Sequence, residues 1–523
     1  MSEVLLTVYD NKCYVESNDS SVHYFLYDAL SREFPGKKYM KKNTSWDGIF
    51  RFYSYQYHSF KTGLLSYVCK LLRSAGHEFE IEDKRTKFFI PKEDIYQVKI
   101  KNKDKKVIKA VLRSYQQEAV ERLLENNGGL VYIATNGGKS VIIASFVLSI
   151  LNQYSFKALI LVHRKELVKQ LYELFSLNIM KDEIGLISAD KIDVAGKSIV
   201  IGMVQTLSKR LKAKDITVTD FVKYINMLVI DETHHAKAST YKNVIKMAKK
   251  CLIKAGFSGT VPKPSTLDGL TIRELMGSVV SRITNKDLID QKVSLIPKIF
   301  MIKTPCNVDL KQVEKNAKKD YYIERTEKGK EDKFAGMGGV VFQRIYEAGI
   351  VYNTFQNSII IKVVKDTLSR GLQTLVIVNR RETHGVELSE IFTTNEIDHV
   401  LWTGQTKDRD AVLKKFKDGK TPVMIATSVV DEGLNIEGID CIVLASGYKS
   451  HIQLLQRLGR GLRTGSKLDY LLVVDFYHNA HKILKDHSRK RLDTWEKEKL
   501  DVQVIKDFDS FKKSVDKLEK HNN

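Results

Sequence analysis

Between residues 112 and 297, short apolar runs recur at intervals too long for hairpins. They are LVYIA (130–134), ALILVH (158–163), SIVIGM (198–203), MLVID (227–231) and KAGFSGT (254–260). The stretches between them place apolar residues at helical spacing. Strands that alternate with helices make a parallel sheet covered on both faces. A second series follows with KIFMIK (298–303), TLVIVN (374–379), HVLWTG (399–404), PVMIAT (422–427), CIVLAS (441–446) and YLLVVDF (470–476). The expected fold class is therefore α/β, with two doubly wound parallel-sheet lobes in tandem. Upstream of them, NTSWDGIFRFYSYQYHSFKTGLL (43–65) reads as a β-rich hairpin region in a small α+β domain, and the charged KNKDKKVIK (101–109) reads as a hinge. Beyond Phe476 the pattern becomes charged and helical, with Trp495 as a packing anchor. The expected units are residues 1–105, 106–296, 297–478 and 479–523, with an insertion at about 303–344.

Composition narrows the partners. The chain has 523 residues, with 85 Lys and Arg against 63 Asp and Glu, a net charge of +22. That length calls for several folding units, and the excess charge favours a polyanionic partner. Cys13, Cys69, Cys251, Cys306 and Cys441 are scattered without paired metal spacing, so reduced thiols are expected and no zinc or disulfide is implied. The start MSEVLLTVYD has neither a basic leader nor a long apolar core, and no run reaches the length of a membrane span. A soluble, unexported, cytoplasmic protein without a signal peptide or membrane partner is expected.

The candidate chemistry lies in two segments. In IATNGGKS (133–140) an apolar strand feeds a loop of small residues and then a helix. Thr135, Asn136, Gly137 and Gly138 form a turn whose backbone N–H groups can converge on phosphate oxygens; Lys139 adds a point charge, and the Ser140 hydroxyl can ligate magnesium. Ile133 stands where the full phosphate-loop pattern has glycine. In MLVIDETHH (227–235) a buried strand delivers Asp231 and Glu232 to its carboxyl end, the edge at which open α/β sheets bind ligands. Asp231 is suited to holding magnesium through water, and Glu232 to orienting and deprotonating an attacking water. In QRLGRGLR (456–463), Arg460 and Arg463 lie three apart on an expected helix, so both guanidinium groups can face one phosphate as arginine fingers.

In this order, the motifs resemble those of a superfamily 2 helicase or translocase of the DExH type, over most of residues 112–476. The resemblance implies RecA-like lobes, ATP and Mg2+ as cofactors, and a catalytic set of Lys139, Asp231, Glu232, Gln456, Arg460 and Arg463. LRSYQQEAV (112–120) resembles the Q motif, which implies that Gln116 reads the adenine edge. HRKELVKQ (163–170) and VQTL (204–207) resemble strand-tracking motifs, implying backbone contacts from His163, Arg164, Gln170 and Thr206. SGT (258–260) resembles motif III, which couples hydrolysis to lobe movement through hydroxyl contacts with the acidic motif. NRRETHGVEL (379–388), TGQT (403–406) and ATSVVDEGLN (426–435) resemble motifs IV, IVa and V, implying Arg380, Thr403 and Thr427 near the nucleic-acid backbone and Gly433 near the nucleotide. Asn435 departs from the aspartate frequent in motif V.

The WDG region resembles the amino-terminal domain of UvsW-type phage recombination helicases. Arg51, Lys41, Lys42 and Lys61, with Tyr53, Tyr55 and Tyr57, would be available to a nucleic acid, unless strand alternation buries half of the tyrosines. The insertion reads as part helix and part loop, either gripping duplex or forming a solvated excursion. Together these features imply a monomeric DNA helicase acting on branched or forked DNA beside replication or recombination proteins, in the host cytoplasm if phage-encoded. The alternatives are an RNA helicase and the motor of a restriction or repair complex.

Overall fold

A computed structural model describes residues 4–37, 46–102, 106–134, 137–188, 191–236, 238–291, 295–327, 336–379, 381–403, 406, 408–427, 438–447, 467–497 and 499–522. The chain forms two compact units, Met1–Thr284 and Asn285–Asn523. No helix among the described residues is long and apolar enough to cross a membrane.

The first unit opens with β1 (Val4–Val8), β2 (Lys12–Glu16), β3 (Ser31–Glu33), β4 (Ile49–Arg51), β5 (Tyr53–Ser54), β6 (Ser59–Lys61) and β7 (Phe79–Asp83). A five-stranded sheet of order β5-β6-β2-β1-β7 carries helices α1 (Ser20–Ala29) and α2 (Leu65–Ser74), while β3 and β4 pair as a separate ribbon. In β2 alternate residues are buried, so one face of the sheet meets the helices. This core also takes in Leu270, from a helix of the following lobe. The stretch expected to act as a hinge bears an antiparallel ribbon, β8 (Lys99–Lys101) with β9 (Val107–Lys109), in which Ile100 and Ile108 stand opposite each other.

The first lobe contains β10 (Gly128–Ile133), β11 (Ala158–Val162), β12 (Ile184–Ile187), β13 (Ile192–Asp193), β14 (Ile199–Met203), β15 (Met227–Asp231), β16 (Ile253–Ser258) and β17 (Val279–Ile283). Their order is β13-β12-β14-β11-β15-β16-β10-β17, parallel apart from the short β13. Every residue of β10, β11 and β15 is buried, as an apolar run covered on both faces requires. Connecting helices are α3 (Ser114–Glu125), α4 (Lys139–Gln153), α5 (Lys165–Phe175), α6 (Val204–Lys212), α7 (Ile216–Lys223), α8 (Ser239–Met247) and α9 (Leu267–Met276).

The second unit is built on β18 (Ile296–Thr304), β19 (Thr374–Ile377), β20 (His399–Trp402), β21 (Val423–Ala426), β22 (Cys441–Leu444), β23 (Tyr470–His478) and β24 (Asp501–Ile505), in the all-parallel order β20-β21-β19-β22-β23-β18-β24. Each apolar run of the two series is a strand, and both lobes are doubly wound. The expected helical extension supplies the helices Lys482–Lys497 and Phe508–Asn522 and, in addition, the edge strand β24. Trp495 and Phe511 are fully buried, each in a different apolar cluster of this unit. The described part of the insertion is two helices, Leu310–Glu327 and Met337–Tyr346, whose apolar residues cluster with Leu484.

Candidate active site

Parallel pairing sets the carboxyl ends of β14, β11, β15, β16 and β10 side by side, in that order. Each end bears a residue singled out by its chemistry. Thr206 follows β14; His163 and Arg164 follow β11; Asp231 and Glu232 end β15; Ser258 ends β16; and Gly137 to Ser140 follow β10. Gln170 is exposed on α5, and Thr206 is half-buried on α6.

Gly138 opens α4 in the left-handed region, at φ 78°. A Cβ there would be strained by this backbone and would come within 2.3 Å of Gln116 Nε2, so glycine is favoured. Gln116 is buried; its Nε2 donates to Gly137 O at 3.0 Å, and its Oε1 accepts from the Arg113 N–H at 3.0 Å. The side chain thus ties the start of α3 to the loop. Thr135 and Asn136 lie outside the described residues.

Lys139 Nζ lies 3.1 Å from Asp231 Oδ1 and forms a short ion pair with Glu232. The Glu232 N–H donates to Asp231 Oδ1 at 2.9 Å, and Glu232 adopts left-handed backbone at φ 54°, an uncommon conformation for a residue with a side chain. Burial opposes the charge on Lys139, but the two carboxylates outweigh it and raise its pKa above the usual lysine value. Burial likewise works against ionisation of Glu232, and Lys139 and His234 overcome it to hold the carboxyl well below its usual range. Asp231 is shifted the other way, by burial and by the Glu232 charge beside it. One ammonium serves two carboxylates.

His234 extends the site. Its Nδ1 is 3.0 Å from Ser258 Oγ, which accepts from the Thr260 N–H at 3.2 Å. Glu232 Oε2 lies 3.4 Å from the same Nδ1 and accepts no hydrogen bond among the described residues. A hydroxyl contact from SGT to the acidic segment is what the resemblance implied; the part of His234 in making it was missed, although the histidine pair after Thr233 was a visible hint.

The donor set fits a nucleoside triphosphate with magnesium. The amino end of α4, led by Gly138 and Lys139, presents N–H groups and an ammonium, which suits phosphate oxygens. Ser140 is exposed on the first turn and Asp231 stands across from Lys139, offering hard oxygen ligands to a cation that keeps waters and phosphate oxygens for its other positions. Glu232 Oε2 is buried and accepts no hydrogen bond among the described residues, which suits it to accept one from an attacking water.

In the second unit, Thr403 and Thr427 follow the adjacent strands β20 and β21 and are 2% and 5% exposed. The Thr403 N–H donates to Thr406 Oγ1 at 2.8 Å. Arg380, Gly433, Gln456, Arg460 and Arg463 lie outside the described residues. In the amino-terminal region Arg51 is paired with Asp47 and sits 5.3 Å from the centre of the Tyr27 ring. Tyr55 and Tyr57 are exposed, but Tyr53 is buried with its hydroxyl 2.7 Å from His23 Nδ1, which removes it from the surface set. Lys41 and Lys42 lie outside the described residues.

Residues 109–263 match the family model described as Type III restriction enzyme, res subunit, and residues 356–465 match the helicase conserved C-terminal domain. The chain belongs to the superfamily 2 helicases. Among this helicase's relatives, IRC3 of Saccharomyces cerevisiae, which carries the name of an ATP-dependent helicase, is 28% identical over 390 residues, covering 70% of this chain and 51% of its own. The chain thus spans about half the length of that relative. The ATP-dependent DNA helicase uvsW of Enterobacteria phage T4 is 25% identical over 379 residues, covering 70% of this chain and 68% of its own. The Hef helicase domain of Pyrococcus furiosus shares the fold, with a TM-score of 0.51 at 17% identity over 74% of this chain and 98% of that one.

Proposed function

We propose that this superfamily 2 helicase is an ATP- and magnesium-dependent DNA helicase that unwinds and branch-migrates forked or four-way-junction DNA. The observation that carries the proposal is the meeting of Lys139, Asp231 and Glu232 at the carboxyl edge of the first lobe. In this state Lys139 neutralises the carboxylates. Its transfer to phosphate oxygens would free Glu232, raise its basicity and let it orient and deprotonate the attacking water. Bound magnesium, held by Ser140 and Asp231, would neutralise charge on the phosphate oxygens. Gln116, whose amide is held between Arg113 and Gly137 in this state, would exchange those partners to read the adenine edge beside the loop of Thr135 to Gly138. Arg460 and Arg463, with Gln456, stabilise charge on the transferred phosphoryl group, and Gly433 lies near the nucleotide. His163, Arg164, Gln170, Thr206, Arg380, Thr403 and Thr427 track the strand backbone, while Arg51 belongs to an accessory surface formed by residues 1–105.

The similarity to uvsW supports DNA as the substrate, and the exposed aromatic rings of Tyr55 and Tyr57, the latter beneath Lys12, support an accessory contact with it. The protein is taken to act as a monomer beside replication or recombination proteins. The family description over 109–263 favours one other role, the motor of a restriction or repair complex.

The test compares ATP turnover and strand products on single-stranded DNA, duplex, fork, four-way junction and RNA, with Glu232→Gln as the blank. Strand displacement with fork or junction preference is the expected result. A preference for RNA overturns the DNA assignment, and duplex-stimulated turnover without strand separation favours the restriction or repair motor.

A further inference from the structure

A groove of about 920 Å³ runs between the amino-terminal domain and the first lobe, wholly inside the first unit. It lies at the opposite edge of the sheet from Lys139. Its floor is formed by Gly128 and Gly129 at the start of β10, Lys254 near the start of β16, and Val279 at the start of β17. With a strand rise of about 3.3 Å per residue, strands of this length set the two edges roughly 17–20 Å apart.

The lining is strongly basic, with seven lysines and arginines facing two carboxylates. Lys61, Lys242, Lys246 and Lys249 are exposed and make no ion pair among the described residues. Of the two carboxylates, Asp10 is engaged by the Thr86 N–H and hydroxyl, both at 2.9 Å, and Glu274 is pushed towards its neutral form by burial, against the pull of Lys61 and Lys242. A lysine in the last turn of α8 offsets that helix's dipole, which accounts for Lys246 but not for basic residues on both walls. Lys242 and Lys246 stand one helical turn apart, a row of point charges suited to successive phosphates.

The walls are held together. A Cβ on Gly63 would fall 2.1 Å from Arg273 O, so the amino-terminal domain rests directly on the backbone of α9. Arg32 donates to Ser265 O at 2.9 Å and to Pro264 O at 3.2 Å, and Leu270 of α9 completes the domain's core. The groove is therefore preformed.

We propose that this groove binds the sugar-phosphate backbone of a second nucleic-acid arm while the carboxyl edge of the sheet engages the tracked strand. The proposal rests on the assignment of a nucleic-acid motor, and it gives a branched substrate two separate grips on one unit. The test uses the full-length chain with Lys242→Glu, Lys246→Glu and Lys249→Glu combined, plus the milder triple replacement by glutamine, each checked by thermal melting. Affinity for a fork and for a short unbranched single strand is measured by fluorescence anisotropy across a salt series, with DNA and RNA forks of the same sequence. The expected result is a loss of about tenfold or more in fork affinity and a salt slope lowered by about 2 to 3, because each phosphate contact contributes close to one unit of slope. The glutamine variant should show a smaller loss, and single-strand affinity should stay within about twofold. Loss on one fork alone identifies which nucleic acid fills the groove. Unchanged fork affinity, or equal loss on fork and single strand, overturns the proposal. Stimulation of wild-type ATP turnover by single-stranded, duplex or forked DNA or RNA reports the motor separately, so its absence with all of them defeats the motor assignment and leaves the anisotropy result to judge the groove.

Discussion

The two lobes share an architecture and treat buried charge in opposite ways. In the first lobe, Lys139, Asp231 and Glu232 keep 22%, 9% and 19% of their side-chain surfaces exposed, and one carboxylate oxygen is left without a hydrogen bond among the described residues. In the second, Asp475 and Arg491 are 0% and 2% exposed. There Arg491 Nε donates to both Asp475 oxygens at 3.1 and 2.9 Å, Nη1 to Gly447 O at 2.8 Å, and Nη2 to Phe476 O at 2.6 Å. A closed network of this kind holds chain segments together, whereas an open and underpaired one can exchange partners. Burial of charge alone therefore does not mark a site; it is the incomplete pairing of Glu232 that sets the first lobe apart.

The contrast can be broken most sharply at Lys139 and Glu232. Lys139→Ala or Glu232→Gln should lower ATP turnover by about 10²- to 10⁴-fold while the melting temperature changes little. Near-normal turnover in either folded variant would remove these residues from the chemistry. The reverse pattern is expected in the second lobe. Arg491→Met strands the Asp475 carboxylate and should cost about 3–5 kcal/mol of stability, whereas adding Asp475→Leu should recover part of that loss. Calorimetry reads both, and a single variant as stable as the wild type would show that the pair is dispensable.

A smaller effect is expected from pH. Burial lowers the pKa of His384 to about 3 and is the main cause of a fall to about 3 in His478 as well. The unfolded chain binds these protons near pH 6.5 and the folded chain only near 3. Stability should therefore fall as pH drops below 6.5, by about 1.4 kcal/mol per pH unit for each histidine. Melting curves between pH 7 and 5 provide the check, and His384→Leu should flatten the slope; a slope unchanged in that variant would contradict the assignment. The smallest change concerns the His234 to Ser258 bridge. Ser258→Ala removes a hydrogen bond worth about 1 kcal/mol, so strand displacement per ATP should fall about fivefold with hydrolysis nearly intact. Equal losses in both would make Ser258 a structural residue only.

Much of this was legible before folding. The apolar runs LVYIA, ALILVH and MLVID are buried strands because a parallel sheet covered on both faces needs uninterrupted apolar sequence. Of the strands that escaped notice, β1 and β12 are short but well buried, and β24 is marginal. In β24, DVQVI leaves most residues exposed or half-buried, so its apolar signal is weak and only pairing with β18 makes it a strand. Tyr53 and Tyr55 are two residues apart in the same aromatic run, yet Tyr53 is buried against His23 and Tyr55 is exposed. That difference is set by the helix packed on the sheet.

By itself, the sequence determined the strand and helix rhythm, the phosphate loop and the acidic segment, since each depends on residues adjacent in the chain. The tertiary structure alone decided that Lys139 meets Glu232 across 93 residues, that Arg32 meets Pro264 across 232, and that basic residues from two domains face each other across one groove. Local propensity acts over a few residues, whereas these contacts exist only once strand order and the burial of apolar faces have brought distant segments together.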